Sequence, residues 1–191
     1  MESALIAGVD EVGRGCLAGP VVAAAVILPP GFTHPLLRDS KTLTPGQREV
    51  ALKLIFTHAL AVSFGFQGSA EIDRLNILRA SLRAMQEAIE TLPLRPDWIR
   101  VDGPHKPFVA PYIEACVQGD ARYPEIAAAS IVAKVVRDKL MALLHREFPQ
   151  YGWASNKGYP TRAHWAALAQ YGPSPLHRRT FLQGKLPFYS P

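Results

Sequence analysis

The run from Glu125 to Phe148 has the length of a long helix and is apolar around most of its circumference, so it must be largely buried. One stripe breaks that pattern: Ser130, Lys134, Arg137, Asp138 and His145 share a single side. Elsewhere strands alternate with helices. Leu5 to Val9 and Val21 to Leu28 are short apolar runs separated by the glycine-rich VGRGCLAGP, which predicts strand, irregular loop, strand. Thr44, Pro45 and Gln47 supply an N-cap, a first-turn proline and a capping-box partner, predicting a helix to about Ala59. Ala61 to Phe66 reads as a strand, and Trp98 to Val101 as another that stops at Asp102 and Gly103. Between them Ile72, Leu75, Leu78, Leu82, Met85 and Ile89 recur at helical intervals, predicting one helix over Glu71 to Glu90 with one buried face. Thr161 to Gln170 predicts a further short helix, followed by an irregular tail with one helical turn. This order indicates a mixed α/β layer fold, in which functional groups gather at strand ends.

At 191 residues the chain is expected to form one compact domain, with 172–191 as its C-terminal extension. Twenty-one Lys and Arg against 16 Asp and Glu give a formal charge of +5, which suits a polyanionic partner without identifying one. A charged fraction of 19% and an apolar fraction of 48% exclude a disordered, DNA-coating tail, so function must lie in a site. Cys16 and Cys116 have neither the spacing of a zinc site nor the number of a disulfide scaffold, and read as free thiols in a reducing cytosol. Asp10 and Glu11 arrive before a signal peptide develops, and the run from Val21 to Leu28 is too short to span a bilayer. A soluble, cytoplasmic protein with no membrane partner is expected, and nothing requires more than a monomer.

The carboxylates are harder to place in a purely structural reading. Asp10 and Glu11 end an apolar strand, Asp102 ends another, and Asp138 interrupts the long apolar helix, so each borders an interior where an unpaired charge is costly. Singly, each has a local explanation: Asp10 or Glu11 caps the following loop, Asp102-Gly103 is a turn pair, and Asp138 pairs with Lys134 one turn away. Together they suggest a cluster at one sheet edge. Such a cluster repels itself unless protons or cations neutralise it, and hard divalent ions with oxygen ligands are the usual solution. Two ions so held align the attacking water and the leaving oxygen of a phosphodiester. One difficulty is visible: neighbouring residues of a regular strand point to opposite faces, so Asp10 and Glu11 share a metal pair only if the strand twists or ends there.

The blocks AGVDEVGRGCLAGPVVAAAVIL, DSKTLT, VDG, AAASIVAKVVRDKLM, KGYPTRAH and LHRRTF, in this order and spacing, resemble bacterial ribonuclease HII along nearly the whole chain. The resemblance implies a ribonuclease H-like fold, a central mixed sheet flanked by helices with a helical C-terminal extension. It implies Asp10, Glu11, Asp102 and Asp138 as catalytic acids holding Mg2+ or Mn2+. It also implies action on RNA–DNA hybrids and on DNA duplex containing ribonucleotides, with incision on the 5′ side of a ribonucleotide leaving a 3′-hydroxyl and a 5′-phosphate. In that family the GRG loop, here Gly13, Arg14 and Gly15, approaches the 2′-hydroxyl through its backbone, and the tyrosine corresponding to Tyr159 stacks at the RNA-to-DNA junction. Glycines permit that approach, and the 2′-hydroxyl is what separates RNA from DNA. Ser40, Lys41, Lys134, Lys157, Arg178 and Arg179 lie in matching blocks and are candidates for phosphate contacts, which position a duplex without reading its sequence. Two departures stand out, Pro104 after VDG and Pro160 after KGY; the second restricts the backbone of Tyr159 toward extended conformations.

Beyond LHRRTF, Gln183, Leu186 and Phe188 form a Gln-x-x-Leu-x-Phe pattern similar to the peptides with which bacterial proteins dock on the sliding clamp. Leu186 and Phe188 have a plainer use, folding back on the domain. Two other readings compete with the nuclease. Ribonuclease HIII shares much of this core but carries an extra N-terminal domain, for which the early catalytic strand is expected to leave no room. A non-catalytic duplex-binding module keeps the basic face but has no need of four carboxylates.

Overall fold

The computed structural model describes residues 4–109 and 112–185. Five strands, β1 (Ile6–Val12), β2 (Val21–Ile27), β3 (Ala61–Gln67), β4 (Trp98–Asp102) and β5 (Ile113–Cys116), form one sheet in the order β3-β2-β1-β4-β5. The pairs β1–β2 and β2–β3 are antiparallel, while β1–β4 and β4–β5 are parallel, so the sheet is mixed. The helices are α1 (Pro45–His58), α2 (Ser69–Leu75), α3 (Ile77–Glu90), α4 (Pro124–Leu144), α5 (Trp153–Asn156), α6 (Arg162–Tyr171) and α7 (Arg179–Leu182). None among the described residues is long and apolar enough to cross a membrane.

Alternation along the strands assigns the two faces. Ala7, Val9, Ala23, Ala25, Ile99 and Val101 pack with Ala80, Ala84, Met85 and Ala88 of α3. From the other face Ala24 and Val26 meet Ala128, Ile131, Val132 and Val135 of α4 and Ala51 and Ile55 of α1. β2 is buried on both faces, which explains why it reads as a continuous apolar run rather than an alternating one. Small residues let the helices lie close. A Cβ at Gly8 would overlap the backbone of Glu125 at the start of α4, so β1 and α4 approach to a distance only glycine permits. A third apolar group, with Leu17, Met141, Tyr151, Trp153 and Leu168, seats the C-terminal helices against the end of α4.

Several expectations need adjusting. The helix expected over Glu71 to Glu90 is two helices, because Asn76 adopts φ 70° and its side chain accepts from the Arg79 amide to cap α3. The short strand β5 carries only four residues and was not expected. β1 does not end with the apolar run at Val9 but continues through Asp10 and Glu11 to Val12. The capping box at α1 forms as expected, with the Gln47 amide donating to Thr44 Oγ1 at 3.2 Å and the Thr44 amide to Gln47 Oε1 at 2.9 Å.

Candidate active site

The register of β1 against β4 builds the centre. Val9 pairs with Val101 in a parallel ladder, so the next residues, Asp10 and Asp102, stand side by side on the α4 face. A 3-10 turn at Gly119–Ala121 adds Asp120 from beyond β5. Each of the three offers a carboxylate oxygen, and these oxygens lie within 4.8 Å of one another. Burial, then Glu11 and Asp102, push the Asp10 carboxyl well above the usual carboxylate range. Burial, then Asp102 and Asp39, raise Asp120. Local donors hold the geometry: the Gly119 amide donates to Asp102 Oδ1 at 2.7 Å and the Glu11 amide to Asp10 Oδ1 at 2.7 Å. Ser130 of α4 bonds the Ser40 hydroxyl at 3.0 Å and lies close enough to Asp10 to offset part of the rise in its pKa. An all-oxygen set of mutually repelling carboxylates fits a hard divalent cation, which removes the repulsion.

Glu11 lies on the opposite face, as the strand period requires. Its carboxylate borders a small recess on the α3 side with Arg14, Ser81, Asp102 and His105, and pairs with Arg14 at 3.1 Å. Burial raises its pKa against the opposing pull of Arg14, and Asp102 adds to the rise. From that face the Glu11 carboxylate still repels Asp10 and Asp102 without joining the three oxygens that converge. Asp138 is not brought into the triad. It sits two turns along α4 from Ser130, and its Oδ1 accepts from Lys134 Nζ at 2.9 Å. The acid that completes the cluster is instead Asp120. Nothing in its surroundings, QGDARYP, distinguishes it from a solvated loop acid.

The phosphate candidates divide. Arg178 is fully buried, so it is not a phosphate contact. Its guanidinium donates to the carbonyls of Gly13 at 2.7 Å, Arg14 at 2.8 Å and Gly19 at 2.9 Å. Arg137, also fully buried, donates to Ala18, Pro20 and Lys157. Two arginines thus fix the loop from Gly13 to Pro20 and tie it to the KGY segment. Gly13 has φ 94°, and a Cβ there would overlap the Arg137 side chain, so the first glycine is needed for both reasons. Ser40 is buried, with its hydroxyl bonded to Ser130. Lys41 and Arg179 are exposed, Arg14 is exposed but ion-paired, and Lys134 and Lys157 are half-buried. Tyr159 is half-buried beside the GRG loop, with Lys134 Nζ and Arg137 Cζ each 5.8 Å from its ring centroid.

Behind Tyr159 lies an imidazole pair that sequence reading did not single out. His164 and His177 meet through their Nε2 atoms at 3.0 Å. The Ser174 amide donates to His177 Nδ1 at 2.9 Å, so the proton of a neutral His177 sits on Nε2 and is donated to His164. His164 Nε2 also accepts from Trp153 Nε1 at 3.2 Å, and its Nδ1 donates to the Tyr159 carbonyl at 2.9 Å. All four nitrogens are satisfied with both rings neutral. Burial pulls His177 down to about 3 and lowers His164. Both folded values lie below the ordinary value of roughly 6.5, so the unfolded chain protonates first and folding weakens as pH falls through that range, by ~1.4 kcal/mol per pH unit for His177. The stability gap between wild type and His177→Gln, from urea unfolding, is expected to narrow by about 2 kcal/mol from about pH 7.5 to about pH 5. A gap independent of pH would show that His177 titrates normally.

Residues 7–183 match the family model described as Ribonuclease HII. A ribonuclease HII of Syntrophus aciditrophicus (strain SB) is 52% identical over 177 residues, covering 93% of this chain and 84% of the relative. Among solved structures, the ribonuclease H2 of Pyrococcus horikoshii OT3 superposes with a TM-score of 0.75 at 30% identity, covering 92% of this chain and 93% of that one. The ribonuclease HII of Archaeoglobus fulgidus, solved in a complex with PCNA, superposes at 0.74 with 27% identity, covering 91% and 93%. The fold is the ribonuclease H-like fold expected from the sequence, and the chain belongs to the ribonuclease HII family of ribonuclease H endoribonucleases.

Proposed function

We propose that this chain, acting as one catalytic domain in the cytoplasm, cleaves the RNA strand of RNA–DNA hybrids and incises duplex DNA 5′ to embedded ribonucleotides, leaving 3′-hydroxyl and 5′-phosphate ends. The observation that carries the reading is the convergence of Asp10, Asp102 and Asp120 beside the GRG loop. These three, with Glu11 reaching Asp102 from the other face, would hold Mg2+ or Mn2+. When bound, such a cation neutralises charge at the phosphodiester and acidifies water. The protein's own residues do the rest. The Glu11 and Gly119 amides orient the carboxylates, and the arginine-fixed backbone of Gly13 to Gly15 approaches the 2′-hydroxyl without having to order itself on binding. Tyr159 offers a stacking face next to that loop, and Lys41, Lys134, Lys157 and Arg179 supply charge for phosphates.

The test is cleavage of a DNA duplex bearing a single ribonucleotide, with and without divalent metal, and with the product ends mapped. Metal-dependent nicking 5′ to the ribonucleotide is expected. Binding with no product in any metal would leave only a duplex-binding module. A second reading concerns the tail. The Archaeoglobus relative solved with PCNA favours clamp docking through Gln183, Leu186 and Phe188, of which Leu186 and Phe188 lie outside the described residues. Clamp capture that survives deletion of residues 182–191 would end that idea.

A further inference from the structure

Asp138 stands outside the acid triad and is tied to Lys134, with side-chain exposures of 21% and 19%. The pair borders a groove of about 610 Å³ between the first turn of α1 at Pro45 and Gly46, the middle of α4, and Ser155 and Lys157. Along α4, Ser130, Lys134 and Asp138 follow one another by about 6 Å each. Ser130 lies close to Asp10, so Lys134 is one step from the triad and Asp138 two. The Tyr159 ring lies 5.8 Å from the Lys134 ammonium. A strand with its scissile phosphate at the triad therefore carries a neighbouring phosphate toward Lys134, which Asp138 already occupies. Other cations of the groove are likewise engaged: Lys139 pairs with Glu49 at 3.0 Å, and Arg48 Nη1 donates to the carbonyls of Ser40 and Leu43.

We propose that Asp138 is a displaceable stand-in for a substrate phosphate, holding Lys134 in the free protein and releasing it to the bound strand. The inference rests on the nuclease reading and adds the exchange that limits affinity. A lysine suits this role, since its ammonium is a point charge on a flexible stem that swings from one anion to another. A partly exposed pair is weak enough to be given up. Its consequence is that phosphate attraction, blind to sequence and sugar, is held down by the competing carboxylate. Discrimination for ribonucleotides then falls to the GRG loop and Tyr159. Binding also returns an unpaired Asp138, which takes up a cation while the nucleic acid sheds one, so the salt dependence is blunted.

The experiment measures binding by fluorescence anisotropy, without divalent metal and across a salt series, for an all-DNA duplex and one with a single ribonucleotide. Asp138→Asn is expected to tighten both roughly two- to fivefold, the scale of a partly exposed ion pair. The slope of log K against log salt should steepen by up to about 0.9, one phosphate's worth. Lys134→Met should weaken binding and flatten the slope, and in that background Asp138→Asn should add nothing. Wild-type affinity and slope in Asp138→Asn would overturn the proposal while leaving the nuclease reading intact, as would a gain undiminished by Lys134→Met. A wild-type protein that binds neither duplex would take both readings down.

Discussion

Asp10→Asn is expected to lose cleavage on the order of 10³-fold while melting at a higher temperature than the wild type in metal-free buffer. Asp10 is 6% exposed, and burial together with Glu11 and Asp102 pushes its carboxyl up. Ionising it near neutral pH therefore works against folding. Asparagine has the same shape and still accepts the Glu11 amide, but carries no charge to be repelled. The sign follows from linkage. A carboxyl whose folded value exceeds its unfolded one costs stability above the folded value, and the cost disappears as pH falls toward the unfolded value near 4. The advantage of the variant should thus grow as pH rises from about 4 and then level off. For a chain of this size each kcal/mol relieved raises Tm by about 2–4 °C. Differential scanning calorimetry and the embedded-ribonucleotide assay check the two halves together. Normal cleavage by the variant would remove Asp10 from the catalytic set, and a lower Tm would mean the triad's repulsion is already balanced inside the protein.

Arg178→Met is expected to destabilise the protein by on the order of 5 kcal/mol, because methionine fills the space but donates nothing to three backbone carbonyls, those of Gly13 and Gly19 buried and that of Arg14 partly so. The guanidinium makes every one of its bonds to backbone oxygens of the segment from Gly13 to Gly19 and none to a carboxylate. Burial pulls even this arginine down to about 10, a sign of how little water reaches it. Each orphaned carbonyl costs about 1–3 kcal/mol, against a total stability of about 5–15 kcal/mol for a typical domain. A urea titration should show a lower midpoint with an unchanged slope. Arg178→Lys should recover only part of the loss, since one ammonium cannot span the same fork of acceptors. A loss below about 1 kcal/mol would mean that water replaces the guanidinium and that the loop is not held by it.

Much of the fold was legible in local sequence. The capping box at Thr44 and Gln47, the apolar β2 and the circumferentially apolar α4 each follow from neighbours within a few residues. The break at Asn76 was missed because the apolar period runs through it unbroken, while the left-handed backbone is set by one residue. β5 was missed because four residues are too few to show a period. In the site, Asp10, Glu11 and Asp102 were legible as charges at the ends of apolar strands, but Asp120 was not. Arg178 and Arg179 look alike as a basic pair; burial makes the first a staple and leaves the second exposed.

By itself the sequence determined which of the longer segments are buried and that acids stand at the rim of the interior, since periodicity and turn chemistry act over short stretches of chain. Which acids meet was decided only in three dimensions. The parallel register of β1 and β4 sets Asp10 beside Asp102, and the turn after β5 swings Asp120 to join them. Asp138, on the same helical stripe as Ser130, is carried two turns away into the hold of Lys134. Electrostatic repulsion acts through space over a few ångströms, and distance along the chain carries no record of it.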